Sequence, residues 1–513
     1  MKKYVLTLTV FIILFSACST SSGKNESYVT VKINYNELYQ VIDGFGGSNA
    51  WTGLPRDYQS ALKIVKLLYS KTEGAGLTIL RNRIPFRERL SGDNTPGHND
   101  NFIVRKNDYT YDYAESADGI KTFNLNWNSW DLSNTKTLIQ HIKNLGIDGP
   151  ERLTIMSTPW TPPNNRVTQW KENVSGVSVR LDYAMDWSRP DIWGRLKRSR
   201  YNDYADLLAD YVKNFEAHIG SPLAILSVQN EPNWKVDYES SYWNGADLRD
   251  FIKVIGQRFP MKGIKTGEGG IGIMMPEYEN FNINFNEMIK PSLEDPLSEQ
   301  VITHIALHQY NGAYDNTSRA GAKEFPEITA SGKRFWQTEV SGEGGQIPYG
   351  TGIANALYYA KMIHFDMTLA QTNAFLFWWL WTNNPNITGG SLIINDNEDM
   401  IVTHRLYAIG QFSRFIRPEW RRIGCGAFPR AGVYISAYRN PKTNEIAAVI
   451  INDRYNSVNT TLELTDAEFD HLEIWRTSDK EKLAHLGRQK ISDNTADVKL
   501  PSMSITTLYG KTK

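Results

Sequence analysis

The chain has 513 residues, enough for a large core and more than one domain. Its 56 Lys and Arg match 56 Asp and Glu, which gives no electrostatic reason to expect nucleic acid or anionic lipid as a partner. Two cysteines exclude a disulfide framework and a cysteine metal site. The 15 Trp and 26 Tyr are the informative surplus: flat aromatic faces suit the apolar faces of sugar rings, although a large domain also has a large aromatic core.

Residues 1–18 read as a targeting segment. Lys2 and Lys3 precede an apolar run over 4–15 that is too short to span a bilayer. Phe15-Ser16-Ala17-Cys18 resembles a bacterial lipoprotein signal ending at Cys18, with Phe where Leu is typical; an ordinary secretory signal is the alternative. Either implies export, and the first implies an outer-membrane lipoprotein held only by its N-terminal lipid. Residues 19–27 are a Ser/Gly-rich tether. The alternating stretch at 28–40 is an N-terminal strand without a helix partner.

From 41 to 416 the pattern is strand, loop, helix, repeated. Strand candidates lie at 41–45, 77–83, 153–157, 223–229, 264–268, 301–308, 334–340 and 374–381. The clearest helix places Tyr204, Leu207, Leu208, Tyr211, Val212, Phe215 and Ile219 on one face. Eight short apolar strands alternating with helices predict an α/β fold, a closed (β/α)8 TIM barrel. The segments at 86–133 and 159–199 follow strands two and three and are long for barrel loops, which places them on the functional face. They carry Tyr109, Tyr111, Tyr113, Trp127 and Trp130, then Trp160, Trp170, Trp187 and Trp193. At least half of these should simply fold the loops onto the barrel. From 417 to 513 short alternating runs at 433–438, 446–452, 460–464, 472–475 and 504–509 predict a side β-sandwich, joined by the N-terminal strand.

Two strand ends carry the chemistry. Gln229-Asn230-Glu231-Pro232 stops strand four at a glutamate, and Phe335-Trp336-Gln337-Thr338-Glu339 ends strand seven at another. Those ends face one another across the mouth of an eight-stranded barrel. A facing pair of carboxyls suits glycoside hydrolysis, in which one donates a proton and the other attacks. Arg81, closing strand two, is placed to keep Glu339 ionised, which makes Glu339 the nucleophile and Glu231 the acid/base. Such a pair should lie about 5–5.5 Å apart and needs no cofactor.

Other signals are weaker. Gly267-Glu268-Gly269-Gly270-Ile271-Gly272 fits a dinucleotide fingerprint by letters but reads as a strand-five turn. His304 and His308 share a face of strand six. No third ligand suggests a metal, so His308 reads as a polar partner at the site and His304 as structural. Glu343 lies in a glycine-rich loop and ranks below Glu339 as nucleophile.

The chain resembles glycoside hydrolase family 30. The resemblance is carried by Ile42-Asp43-Gly44-Phe45-Gly46-Gly47, Thr158-Pro159-Trp160-Thr161-Pro162-Pro163, Ser227-Val228-Gln229-Asn230-Glu231-Pro232, Trp336-Gln337-Thr338-Glu339, Phe377-Trp378-Trp379 and the segment 410–418. It implies a barrel with a side β-sandwich and retention of anomeric configuration. It further implies roles for Asn230 beside the acid/base, Trp160 as a sugar platform, Tyr310 near the nucleophile and Trp379 on the barrel floor. Trp51 and Trp234 are further candidate sugar contacts. Within the family the likeness is to the bacterial xylanase branch, which predicts an endo-β-1,4-xylanase acting on branched plant cell-wall xylan. The segment after Trp381, 382–390, holds no arginine, so glucuronate recognition does not carry over, and the two long loops also depart from the family pattern. The rivals are a β-1,6-glucanase or exo-β-glycosidase of the same family and, from another class, a non-catalytic glycan-binding lipoprotein.

Overall fold

The structure, a computed structural model, describes residues 28–86, 112–125, 127–147, 153–163, 185–186, 194–234, 236, 240–310, 321–342, 350–386, 389–396 and 399–513. Cys18, Tyr109, Tyr111, Trp170, Trp187, Trp193 and Glu343 lie outside the described residues.

Eight strands close a parallel barrel: Gly44–Ser48, Ile79–Ile84, Thr154–Pro159, Ile225–Ser227, Gly272–Tyr278, Ile302–His308, Arg334–Glu339 and Ala374–Thr382. The seventh and eighth strands pair, and the eighth pairs with the first. Seven of these fall where the sequence pattern predicts. The fifth does not: residues 264–268 lead into a turn, with Gly267 and Gly269 at φ 78° and 71°, and the strand begins only at Gly272. Pro276 inside the run disguises it, because proline cannot donate to a ladder and so reads as a strand breaker. A hairpin of Ser391–Asp396 and Asp399–Val402, unpredicted, extends the sheet beyond the eighth strand.

The barrel interior is built in layers by the two-residue period of a strand. Ile79, Met156, Ile225, Met274, Ala306, Trp336, Ala374 and Leu376 form an apolar plug. Two residues further along, Arg81, Thr158, Ser227, His308 and Trp378 form a mostly polar layer. Three register shifts sit at that level, at Glu277 on strand five, Thr338 on strand seven and Trp378 on strand eight. Such bulges re-aim side chains, and here they turn Glu277 and Glu339 toward the axis.

The side domain is a single nine-stranded sheet that curls to enclose one core. Tyr28–Ile42 lies inside it, antiparallel to Trp420–Cys425 and parallel to Val458–Thr465. Val433–Arg439 is buried on both faces. Val433, Ile435 and Ala437 point into the sheet's own core, while Tyr434 and Tyr438 join the barrel core. Strands at Trp420–Cys425, Ala484–Lys490 and Thr495–Leu500 were not predicted; the second buries no residue fully and so has little periodicity, while the third alternates, with Ala496, Val498 and Leu500 buried, and was overlooked.

Part of the long insertion after strand two forms a hairpin, Asp112–Glu115 with Lys121–Asn124. It lies on helix Tyr201–Ile219, whose Asp203, Asp206 and Asp210 share one buried face. Asp206 accepts from the Lys121 amide at 2.8 Å and Asp210 from the Phe123 amide at 2.7 Å. Lys121, Arg258 and Lys262 pair with Asp203, Asp206 and Asp210 respectively.

Candidate active site

Glu231, Glu339, Arg81, Asn230, His308 and Tyr310 converge above the apolar plug. Arg81 is fully buried and spends its donors on three partners. Nε reaches Glu277 Oε1 at 3.0 Å, Nη1 reaches Glu339 Oε2 at 2.5 Å, and Nη2 reaches Asn230 Oδ1 at 2.6 Å. Burial alone would favour a neutral guanidine; Glu277 and Glu339 override it and raise its pKa. Tyr310 donates to Glu339 Oε1 at 2.6 Å. Burial and the charges of Glu339 and Glu231 hold that phenol protonated. Burial also pushes the Glu339 carboxyl up; His308 and Arg81 pull against it and Glu231 adds to it.

His308 is buried at the end of strand six. Its Nδ1 lies 2.9 Å from Glu231 Oε1, and its Nε2 lies 3.7 Å from Glu277 and 3.8 Å from Glu339. Burial alone would lower its pKa, but the carboxylates of Glu339, Glu231 and Glu277 hold it up at about 9. Glu231 itself sits at φ 42°, a conformation that costs side-chain-bearing residues about 1–3 kcal/mol and collects at functional sites. Its amide bonds to the Glu277 carbonyl at 3.0 Å, which fixes the turn.

Sequence reasoning missed Glu277. This third carboxylate is fully buried, accepts from Thr158 at 2.8 Å, and is held at about 2: burial would raise it, but Arg81 and His308 win. The signal was present, since Met274-Met275-Pro276-Glu277 ends a strand in the same way as Glu231 and Glu339. Misplacing strand five concealed it. The structure also supplies a third donor beside His308 that the sequence had not suggested for a metal. Ligand atoms of Glu231, His308 and Glu339 all lie within 4.8 Å of one another. Arg81 already pairs with Glu339, and His308 would first have to lose its proton, so the donor set does not favour a cation.

The aromatic residues are arranged differently from expectation. Trp160 is only 2% exposed, so it is not an open platform; the Arg81 guanidinium stands 4.7 Å over its ring. Trp378, not predicted, packs against Trp160 and Trp51 and lies 5.8 Å from the same guanidinium. Counting by twos from Ala374 and Leu376 would have found it. Trp379 stacks on Trp378 and donates to the Ala50 carbonyl at 2.8 Å, a supporting place one ring further out. Trp51 is partly exposed, held at φ 53° by a bond from its amide to Asp131, with Arg83 over its ring. Trp234 is 50% exposed, and its amide caps the Glu231 carbonyl at 3.0 Å. Trp127 stacks on Tyr211 and His218, and so fastens its loop to a helix. His304, on the same face of strand six, bonds Thr303 well below the cluster.

Residues 183–390, which contain both glutamates and Glu277, match the family model described as O-Glycosyl hydrolase family 30. Over that stretch the chain is similar to glycoside hydrolase family 30. The chain is 23% identical to a glucuronoxylanase of Bacillus subtilis over 520 residues, covering 99% of each. A solved family 30 subfamily 8 xylanase from Clostridium acetobutylicum aligns with a TM-score of 0.68 at 25% identity, over 94% of this chain and 99% of that one. A solved endo-β1,6-glucanase aligns at 19% identity with a TM-score of 0.65, over 95% and 94%, a likeness of fold alone. The chain is thus similar to family 30 glycoside hydrolases and related to xylanases.

Proposed function

We propose that this hydrolase is a retaining endo-β-1,4-xylanase that cuts branched xylan by double displacement. The observation that carries the mechanism is the pair itself. Oxygens of Glu231 and Glu339 lie within 4.8 Å of each other, on the retaining side of the divide between about 5–5.5 Å for retaining and 6.5–9.5 Å for inverting pairs. Glu339 receives Arg81 and Tyr310, two donors that favour its ionised form, and is the nucleophile at the anomeric carbon. Glu231, oriented by His308, gives its proton to the departing oxygen, then takes one from water as that water opens the glycosyl–enzyme ester.

Xylan is supported by full-length likeness to glucuronoxylanases. The segment 382–390 carries no Lys or Arg, and Asn383 is spent on the Gly53 carbonyl. A glucuronate branch is therefore tolerated rather than read. Trp51 and Trp234 are the partly open rings we assign to sugar contacts, Trp234 on the leaving-group side because it neighbours Glu231. Residues 1–18 support export, with Cys18 as the lipid anchor. Chromatography of products from glucuronoxylan, arabinoxylan and β-1,6-glucan tests the assignment. Mixed xylo-oligosaccharides from both xylans are expected; release of glucose oligomers with xylan untouched would overturn it.

A further inference from the structure

Two glutamates suffice for the reaction, yet the centre holds three. We propose that Glu277 is a positioning residue: its buried charge fixes Arg81 and His308, and through them sets which of the two catalytic glutamates carries the proton. This rests on the retaining-hydrolase reading above.

Glu277 does not reach substrate, being 0% exposed beneath the mouth of the barrel. An ionised carboxylate there costs several kcal/mol of desolvation unless it is fully partnered. It is partnered by Arg81 Nε at 3.0 Å, by Thr158 at 2.8 Å, and by His308 Nε2 at the longer 3.7 Å. Each contact bears on a catalytic group. Arg81 holds Glu339 and Asn230 with its other two nitrogens, so the bond from Nε stops the guanidinium plane from turning. His308 Nδ1 hydrogen-bonds Glu231, while its Nε2, with no hydrogen-bond partner, faces the carboxylates of Glu277 and Glu339 at 3.7 and 3.8 Å. A proton on each nitrogen makes the ring a cation set among three carboxylates. Around His308 and Glu277 stand Arg81 from strand two, Thr158 from strand three and Ser227 and Glu231 from strand four. Glu279 lies just after strand five, with Tyr310 after strand six and Glu339 from strand seven.

Counting charges gives the consequence. Arg81 and His308 are balanced by Glu277 and Glu339, so the cluster is neutral when Glu231 bears a proton. Remove the charge at Glu277 and the cluster holds an excess positive charge at the same pH. The excess is relieved by loss of a proton from Glu231 or from His308, and either step begins at a lower pH than in the parent. Loss from Glu231 removes the general acid directly. Loss from His308 leaves a lone pair facing Glu339 and frees the imidazole from its place.

The test is the pH dependence of kcat/KM for Glu277→Gln on whichever glycan the parent cuts. The alkaline limb is expected to move down by about one pH unit, with kcat falling roughly tenfold and KM little changed. Glu277→Asp, which keeps the charge, should return the limb toward its parent position. NMR titration of His308 in the parent serves if Glu277→Gln does not fold: an imidazolium at neutral pH is expected, and a neutral ring overturns the proposal. A profile for Glu277→Gln that superimposes on the parent, with only thermal stability lost, also overturns it. A parent that inverts its product contradicts the hydrolase mechanism instead, so the two failures are distinct.

Discussion

Two of the buried charge clusters among the described residues are built to opposite ends. On helix Tyr201–Ile219, Asp203, Asp206 and Asp210 meet Lys121, Arg258 and Lys262, with Arg200 as a second partner of Asp203 and two of the aspartates also accepting backbone amides. Every carboxylate there has at least one cation of its own, and the cluster straps an inserted hairpin to the barrel wall. At the mouth, Glu231, Glu277 and Glu339 face Arg81 and His308, three against two. The odd carboxyl must hold a proton, and the substrate enters where that proton points. Carboxylates that each have a cation make a fastener; one carboxyl more than the cations makes an acid.

The comparison can be broken most severely at the mouth. Glu231→Gln should cost roughly 10²–10⁴-fold in kcat with melting temperature little changed, because the protonated acid it replaces is already neutral, and Glu339→Gln should cost at least as much in kcat and also lower the melting temperature, because it takes one carboxylate from the buried Arg81 guanidinium. Steady-state assays beside calorimetry check both. The mirror experiment is Asp206→Ala in the strap, which strands Arg258 and the Lys121 amide. It should cost about 3–5 kcal/mol of stability while kcat per folded molecule is unchanged, read from urea melts and active-site titration. Tyr310→Phe removes one donor from Glu339 and should lower kcat about tenfold with little change in KM, a loss near the 1.5–3 kcal/mol of a hydrogen bond to a charged group. The smallest effect concerns acid. His364 is buried between the barrel and the side sheet, beside Phe365, Phe428 and Tyr434, and burial lowers it from 6.5 to about 3. A folded pKa below the unfolded one means that the neutral ring stabilises the fold above pH 6.5, and that this contribution drains away as pH falls toward 3. His304, also lowered to about 3, adds to the same slope. His364→Leu should therefore flatten the decline of melting temperature between pH 6.5 and 4.5 without abolishing it.

Much of this was legible because period and punctuation agree. Glu231 ends an apolar strand and precedes a proline, and Glu339 ends another three strands on; barrel geometry then forces them together. The helix carrying Tyr204, Leu208, Tyr211 and Phe215 announced itself by spacing. What escaped depends on local irregularity. Pro276 broke the look of strand five and hid Glu277, although the grammar of a strand-ending glutamate was there. A register shift at Trp378 brings two adjacent tryptophans into one cluster, which strict alternation does not allow. Trp160 was legible as a ring at the site but not as a buried one, because its cover is Arg81 from another strand. The strap was invisible as a unit, since its acids and cations are more than 80 residues apart in places.

The central claim is that Glu339 forms a covalent bond to sugar while Glu231 manages the proton. Incubation with an activated 2-deoxy-2-fluoro aryl xylobioside, followed by proteolysis and mass spectrometry, tests it directly. One fluoroglycosyl group is expected on the peptide containing Glu339, released with retained configuration when an acceptor is added. A label on Glu231 or Glu277, or a product of inverted configuration, would contradict it.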